Sequence, residues 1–70
     1  MELQNLLRAI YSPTKTIQID LFNENNLLMI SFALPGYDCL DDFLLDDTVT
    51  RIEIVSLTKL NITIDTSQNS

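Results

Sequence analysis

The stretch Thr16–Leu34, TIQIDLFNENNLLMISFAL, decides the fold. Ile17, Ile19 and Leu21 alternate with Thr16, Gln18 and Asp20, the period of two expected of a strand with one buried and one wet face. Asn23, Glu24, Asn25 and Asn26 follow as a hairpin turn, because asparagine tolerates the left-handed backbone that such turns need. The returning strand is expected at Leu27–Leu34, and its pattern differs from the first. Leu28, Ile30 and Phe32 supply one face, while Leu27, Met29 and Ala33 make the other face apolar as well. A second greasy face on one strand calls for cover.

Outward from this hairpin, toward the N-terminus, Leu3, Leu6, Leu7 and Ile10 fall at i, i+3, i+4 and i+7, one stripe of a short helix. Ser12 and Pro13 close it. On the other side Pro35 and Gly36 break the chain, and Asp38 is placed to cap a helix of about two turns that carries Leu40, Phe43 and Leu44 inward. Thr48–Val55 and Leu60–Ile64 again alternate, with Ile52, Ile54, Leu60, Ile62 and Ile64 in core phase and a turn at Leu57–Lys59. The expected fold is therefore α+β, a two-layer sandwich in αββαββ order. A four-stranded antiparallel sheet carries two short helices on one face. Residues 1–65 form one domain, and the polar residues 66–70 are expected to be a disordered tail.

Length sets the scale of what this fold can do. Seventy residues bury only about 60% of the unfolded chain's surface, so one modest core is available and a second domain is not. The 46% apolar and 20% charged composition belongs to a folded globule rather than a disordered chain. Ten acidic residues against four basic ones give a net charge of −6. Phosphate binding rests on Lys and Arg displacing counterions, so direct nucleic-acid binding is not expected and a basic protein partner fits better.

The single cysteine, Cys39, cannot form an intrachain disulfide, and the first residues lack the basic flank and apolar core of a signal peptide. The expected setting is the cytoplasm. No apolar run approaches the ~20 residues of a membrane span. There is no histidine and only one glycine, which removes the commonest general base, the commonest nitrogen ligand for metals and any Gly-rich phosphate loop. Cys39 has no histidine partner, and neighbouring aspartates oppose its thiolate. No enzyme activity, cofactor or metal is expected. Asn61-Ile62-Thr63 matches the glycosylation triplet but lies within a strand.

Two sets of residues remain as candidate sites. Asp38, Asp41, Asp42, Asp46 and Asp47 place five acids in ten residues. The first three gain from a helix N-terminus, whereas Asp46 and Asp47 lie at its unfavourable end. With Tyr37 beside Pro35-Gly36 as an aromatic anchor, they form the expected partner-binding face. The cluster lacks the spacing of a calcium loop. Leu27 and Met29, extended by Val55 and Leu57, form the expected self-association face, since pairing two copies is a common remedy for a thin core. A homodimer is the symmetric form such pairing takes.

The Leu-rich opening ELQNLLRAIYSPTKTIQI, the acidic middle LDDFLLDDTVTRIEI and the closing strand LNITI resemble in layout the small acidic proteins of bacteriophages and mobile elements of low-GC Gram-positive bacteria. That group includes anti-CRISPR and other anti-defence inhibitors. The resemblance implies a non-catalytic protein that inhibits a bacterial defence or host protein by stoichiometric binding, as a homodimer. The alternatives are an acidic mimic of nucleic acid, a protein that sequesters a small ligand at a dimer seam, and an accessory structural protein.

Overall fold

A computed structural model describes residues 1–11, 14–34, 36, 40 and 42–67. The eight-residue helix α1, Leu3–Ile10, buries the predicted stripe: Leu3, Leu6 and Leu7 are in the core and Ile10 packs against it. Arg8 lies in its last turn, the favourable end for a cation. Strands β1 (Ile17–Phe22) and β2 (Leu28–Leu34) form the first hairpin, and β3 (Thr48–Ser56) and β4 (Lys59–Asp65) the second. The first turn is built as its asparagines require. Asn23 Oδ1 accepts hydrogen bonds from the Asn25 and Leu27 amides at 2.9 and 3.0 Å, and Asn26 takes a left-handed φ of 64°.

The sheet corrects the expected fold. Its strand order is β2-β1-β4-β3, and the two central strands, β1 and β4, run parallel, so the sheet is mixed rather than antiparallel. The turn residues specify each hairpin locally, but nothing local fixes how the hairpins join. Residues 35–47 are long enough to carry the chain from one edge of the sheet to the other, which lets β4 dock on β1. The second expected helix is also corrected. Asp42–Leu45 is a single turn, α2, flanked by buried Leu40 and Leu44, and the expected cap Asp38 and the Phe43 side chain lie outside the described residues. One full helix, not two, covers the sheet.

That single helix cannot cover the whole face. Eight residues make a cylinder about 12 Å long and 10 Å wide, whereas four strands about 4.8 Å apart present a face roughly 19 Å across. Ile19, Leu21, Leu34, Ile62 and Ile64 are fully buried beneath it. Ile52 pairs with Ile62 and Ile54 with Leu60. Directly paired residues share a face, so both isoleucines are in the expected core phase. They are nevertheless 48% and 76% exposed, because α1 does not reach that quarter of the sheet. The expectation that all core-phase isoleucines meet a helix is corrected here.

The N-terminus and the stretch after β4 are tied down. Glu2 bridges Thr48, with the Val49 amide donating to Met1 O at 2.8 Å and the Leu3 amide to Asp47 O at 2.9 Å. Met1 and Glu2 thus line the outer edge of β3 at its start. After β4, the Thr66 amide and hydroxyl donate to the Glu24 carboxylate.

Candidate functional site

The structure disperses the expected partner-binding face. Asp42 and Asp46 are exposed, and Asp46 Oδ1 accepts a hydrogen bond from Gln4 Nε2 at 3.0 Å. Asp47 is only 3% exposed, and neither of its carboxylate oxygens has a hydrogen-bond partner. Its backbone explains its place. The Asp47 carbonyl holds the first amide of α1, and its amide donates to Leu44 O at 3.2 Å, so the side chain is trapped where the helix, α2 and β3 meet. Loss of water raises its carboxyl above the usual range, and Asp65, Glu24 and Asp46 raise it further. Asp47 is therefore withdrawn from any partner-facing surface. Tyr37, Asp38 and Asp41 lie outside the described residues, as does Cys39.

The four self-association residues are all exposed, but they do not form one patch. Leu27 and Met29 are at the β2 edge and Val55 and Leu57 at the β3 edge, with β1 and β4 between them. They also lie at opposite ends of the sheet: Leu27 follows the turn after β1, whereas the Gln18 amide at the start of β1 donates to Thr58 O beside Leu57. Two bulges complete the separation. Between Leu21 and Phe22 the β1–β2 register shifts past Met29, and between Ile54 and Ser56 the β3–β4 register shifts past Val55. A bulge leaves its extra residue unpaired and breaks the strict alternation from which a shared face was inferred.

The reverse face of the sheet is polar where an oily strip was expected. Ser31 Oγ donates to Asp20 at 2.8 Å, and Lys59 Nζ lies 3.3 Å from the same carboxylate. The Ser31 hydroxyl is the largest influence holding Asp20 below the ordinary carboxylate range; burial opposes it, and the hydrogen bond and charge of Lys59 add to the lowering. Beside them lies a shallow depression of about 200 Å³ lined by Phe22, Asn26, Arg51, Glu53, Asn61 and Thr63. Arg51 and Glu53 form an ion pair across its rim at 3.3 Å. Each cation of this face is thus matched to its own carboxylate. Among the described residues no three acidic or cysteine side chains are grouped to hold a metal ion, and no helix is long and apolar enough to cross a membrane.

What the structure brings together instead is the outer half of β3. Exposure climbs along the strand: Val49 is partly buried, Ile52 is half-exposed, Ile54 is three-quarters exposed and Leu57 is completely so. Ile52 and Ile54 continue the core face outward without a break, so their surface is the open end of the hydrophobic core. The outer edge of the strand is occupied only by Met1 and Glu2 at Val49 and Thr48 among the described residues. A second register shift, between Val49 and Arg51, leaves Arg51–Ile54 as a regular stretch between two bulges. Ile52 and Ile54 were missed as site residues because alternation assigned them to the core. The signal that could have found them was area, since one helix is too small for so many core-phase side chains.

Comparison of the chain with protein-family models, curated proteins and solved structures yields no match.

Proposed function

We propose that this chain is a non-catalytic protein-binding module that acts by stoichiometric association through the outer half of β3. One observation carries the reading: Ile54, on the core side of the sheet, is 76% exposed and sits beside half-exposed Ile52 on an edge strand of the sheet whose outer side meets only Met1 and Glu2 among the described residues. Apolar side chains flanking an open strand edge offer two complementary kinds of contact. The backbone supplies affinity by strand addition, and the alternating side chains supply selectivity. The resemblance to small acidic phage proteins makes a bacterial defence or host protein in the cytoplasm the partner class, and the net charge of −6 favours a basic partner surface by speeding encounter.

The test is capture from bacterial lysate on immobilised wild type and on Ile54→Asp. Ile54 is solvent-exposed, so the substitution leaves the fold intact by far-UV circular dichroism. Recovery of the wild-type partner is expected to fall by about tenfold or more, the scale of a central apolar contact turned into a buried charge. Equal recovery on both would remove β3 from the function.

A further inference from the structure

We infer that the outer half of β3 is built to pair with a second copy of itself, antiparallel and in a single register centred on Ile52, joining two sheets into one of eight strands. This rests on the reading of β3 as the recognition edge: a second copy holds that edge when no other partner does, and the two compete for it.

The argument begins with symmetry. Two identical edges that pair antiparallel in one continuous sheet are related by a two-fold axis normal to it, so one residue of the strand must sit opposite its own copy. The stretch clear of Met1 and Glu2 offers five such centres, Thr50 to Ile54. Centring on Thr50 sets Arg51 opposite the second copy's Val49, where Met1 already lies. Centring on Arg51 or on Glu53 sets like charges directly opposite, which is destabilising in a sheet. Centring on Ile54 runs the ladder through the Val55 bulge and sets Glu53 opposite Val55 and Arg51 opposite Leu57, with no ion pair.

Centring on Ile52 sets no like charges opposite and keeps the Arg51–Glu53 ladder clear of Met1 and of the Val55 bulge. Arg51 of each copy faces Glu53 of the other, and the axis repeats the arrangement, so the ion pair these residues make within the strand at 3.3 Å is joined by two cross-strand pairs at side chains that are 70% and 53% exposed. Ile52 faces Ile52, and Ile54 of each copy faces Thr50, so four isoleucines extend the core face across the seam. The regular stretch between the bulges supplies the Arg51–Glu53 part of that ladder, and Thr50, opposite Ile54, lies at the Val49/Arg51 shift. Beyond Ile54 the second copy's chain arrives at Met1, itself 68% exposed, bringing Val55 and Leu57 beside it. Charged residues on an edge strand usually discourage pairing. Opposite charges placed symmetrically about an apolar residue instead discourage every register but one.

The experiment is sedimentation equilibrium of the full chain as wild type, Arg51→Glu, Glu53→Arg and the double exchange Arg51→Glu with Glu53→Arg. The wild type is expected to show a monomer–dimer equilibrium. Each single reversal replaces two attractive pairs by two repulsive ones and is expected to raise the dimer dissociation constant by about tenfold or more. The double exchange recreates both pairs with the signs swapped and is expected to return within about threefold of wild type. All four proteins carry the change on exposed side chains, and circular dichroism verifies their fold. A wild type that stays monomeric at about 1 mM, the weak limit of specific association, overturns the inference, as does a dimer indifferent to the single reversals or not rescued by the double exchange. Failure here is separable from failure of the binding reading. Lysate capture lost in Ile54→Asp but kept in Arg51→Glu, with a monomeric wild type, leaves β3 as a docking edge for a different protein.

Discussion

Replacing Leu7 by alanine is expected to remove about 2–5 kcal/mol of stability, the range for a buried leucine truncated in a core that cannot close around the gap. A domain of this length holds only about 4–10 kcal/mol in total, so the variant stands at or near unfolding. Leu7 is fully buried and belongs to the only full helix among the described residues, so no second helix can take over its contacts with the sheet. Ile54→Ala is the matched control. It removes a similar side chain from the sheet face on which α1 packs, but at a position open to water, and is expected to change stability by less than about 0.5 kcal/mol. Urea denaturation followed by far-UV circular dichroism measures both. Equal losses would mean that α1 does not cover the face on which it has been placed.

The second large effect has the opposite sign. Asp47→Asn is expected to stabilise the protein at neutral pH, because the amide fills the same place without the charge whose loss of water raises the Asp47 carboxyl. For a domain of this size each kcal/mol gained raises the melting temperature by about 4–8 °C. The pH dependence identifies the cause. The folded state raises the Asp47 carboxyl above its unfolded value, so the folded chain holds its proton more tightly. Stability attributable to this group is then complete below the unfolded pKa of about 3.9 and declines as pH rises through the folded pKa. The gain from Asp47→Asn is accordingly greatest at neutral pH and vanishes in acid. Asp20, which is not among the groups that shift Asp47, is lowered by its hydroxyl donor in both proteins and cancels in the difference. Thermal melts of the two proteins across the acid range provide the comparison; a loss of stability in the variant at neutral pH would mean that the carboxylate has a favourable partner.

The local elements of this fold can be read from the residues, while their assembly cannot. The Leu3, Leu6, Leu7 stripe predicts the helix, and Asn26 predicts the left-handed turn, because helix periodicity and turn conformation depend on neighbours a few positions apart. The parallel pairing of β1 with β4 depends on where residues 35–47 carry the chain, and no spacing of side chains encodes that. Alternation also assumes an unbroken register. The shifts at Met29 and Val55 defeat it, since each adds a residue to one strand without altering the hydropathy pattern.

The candidate site was legible only in part. Val55 and Leu57 were singled out as self-association residues and lie exposed at the open end of β3, whereas Ile52 and Ile54, just before them in the chain, were consigned to the core. Their alternation says which side of the sheet they face but not whether anything covers that side. Asp47 was legible as an anomaly, an acid at the unfavourable end of a helical turn. Its burial follows from backbone hydrogen bonds to Leu3 and Leu44, which composition does not reveal.

The central claim is that β3, and not β2, is the recognition edge. Amide hydrogen exchange resolved by residue, compared between dilute and concentrated solutions of the wild-type chain, addresses it most directly. Ile19, Leu21, Ile62 and Ile64 are expected to exchange slowest under both conditions, and concentration is expected to slow exchange only within Arg51–Ile54. Slowing confined to Leu28–Leu34, or rates at Arg51–Ile54 that ignore concentration, would contradict the account.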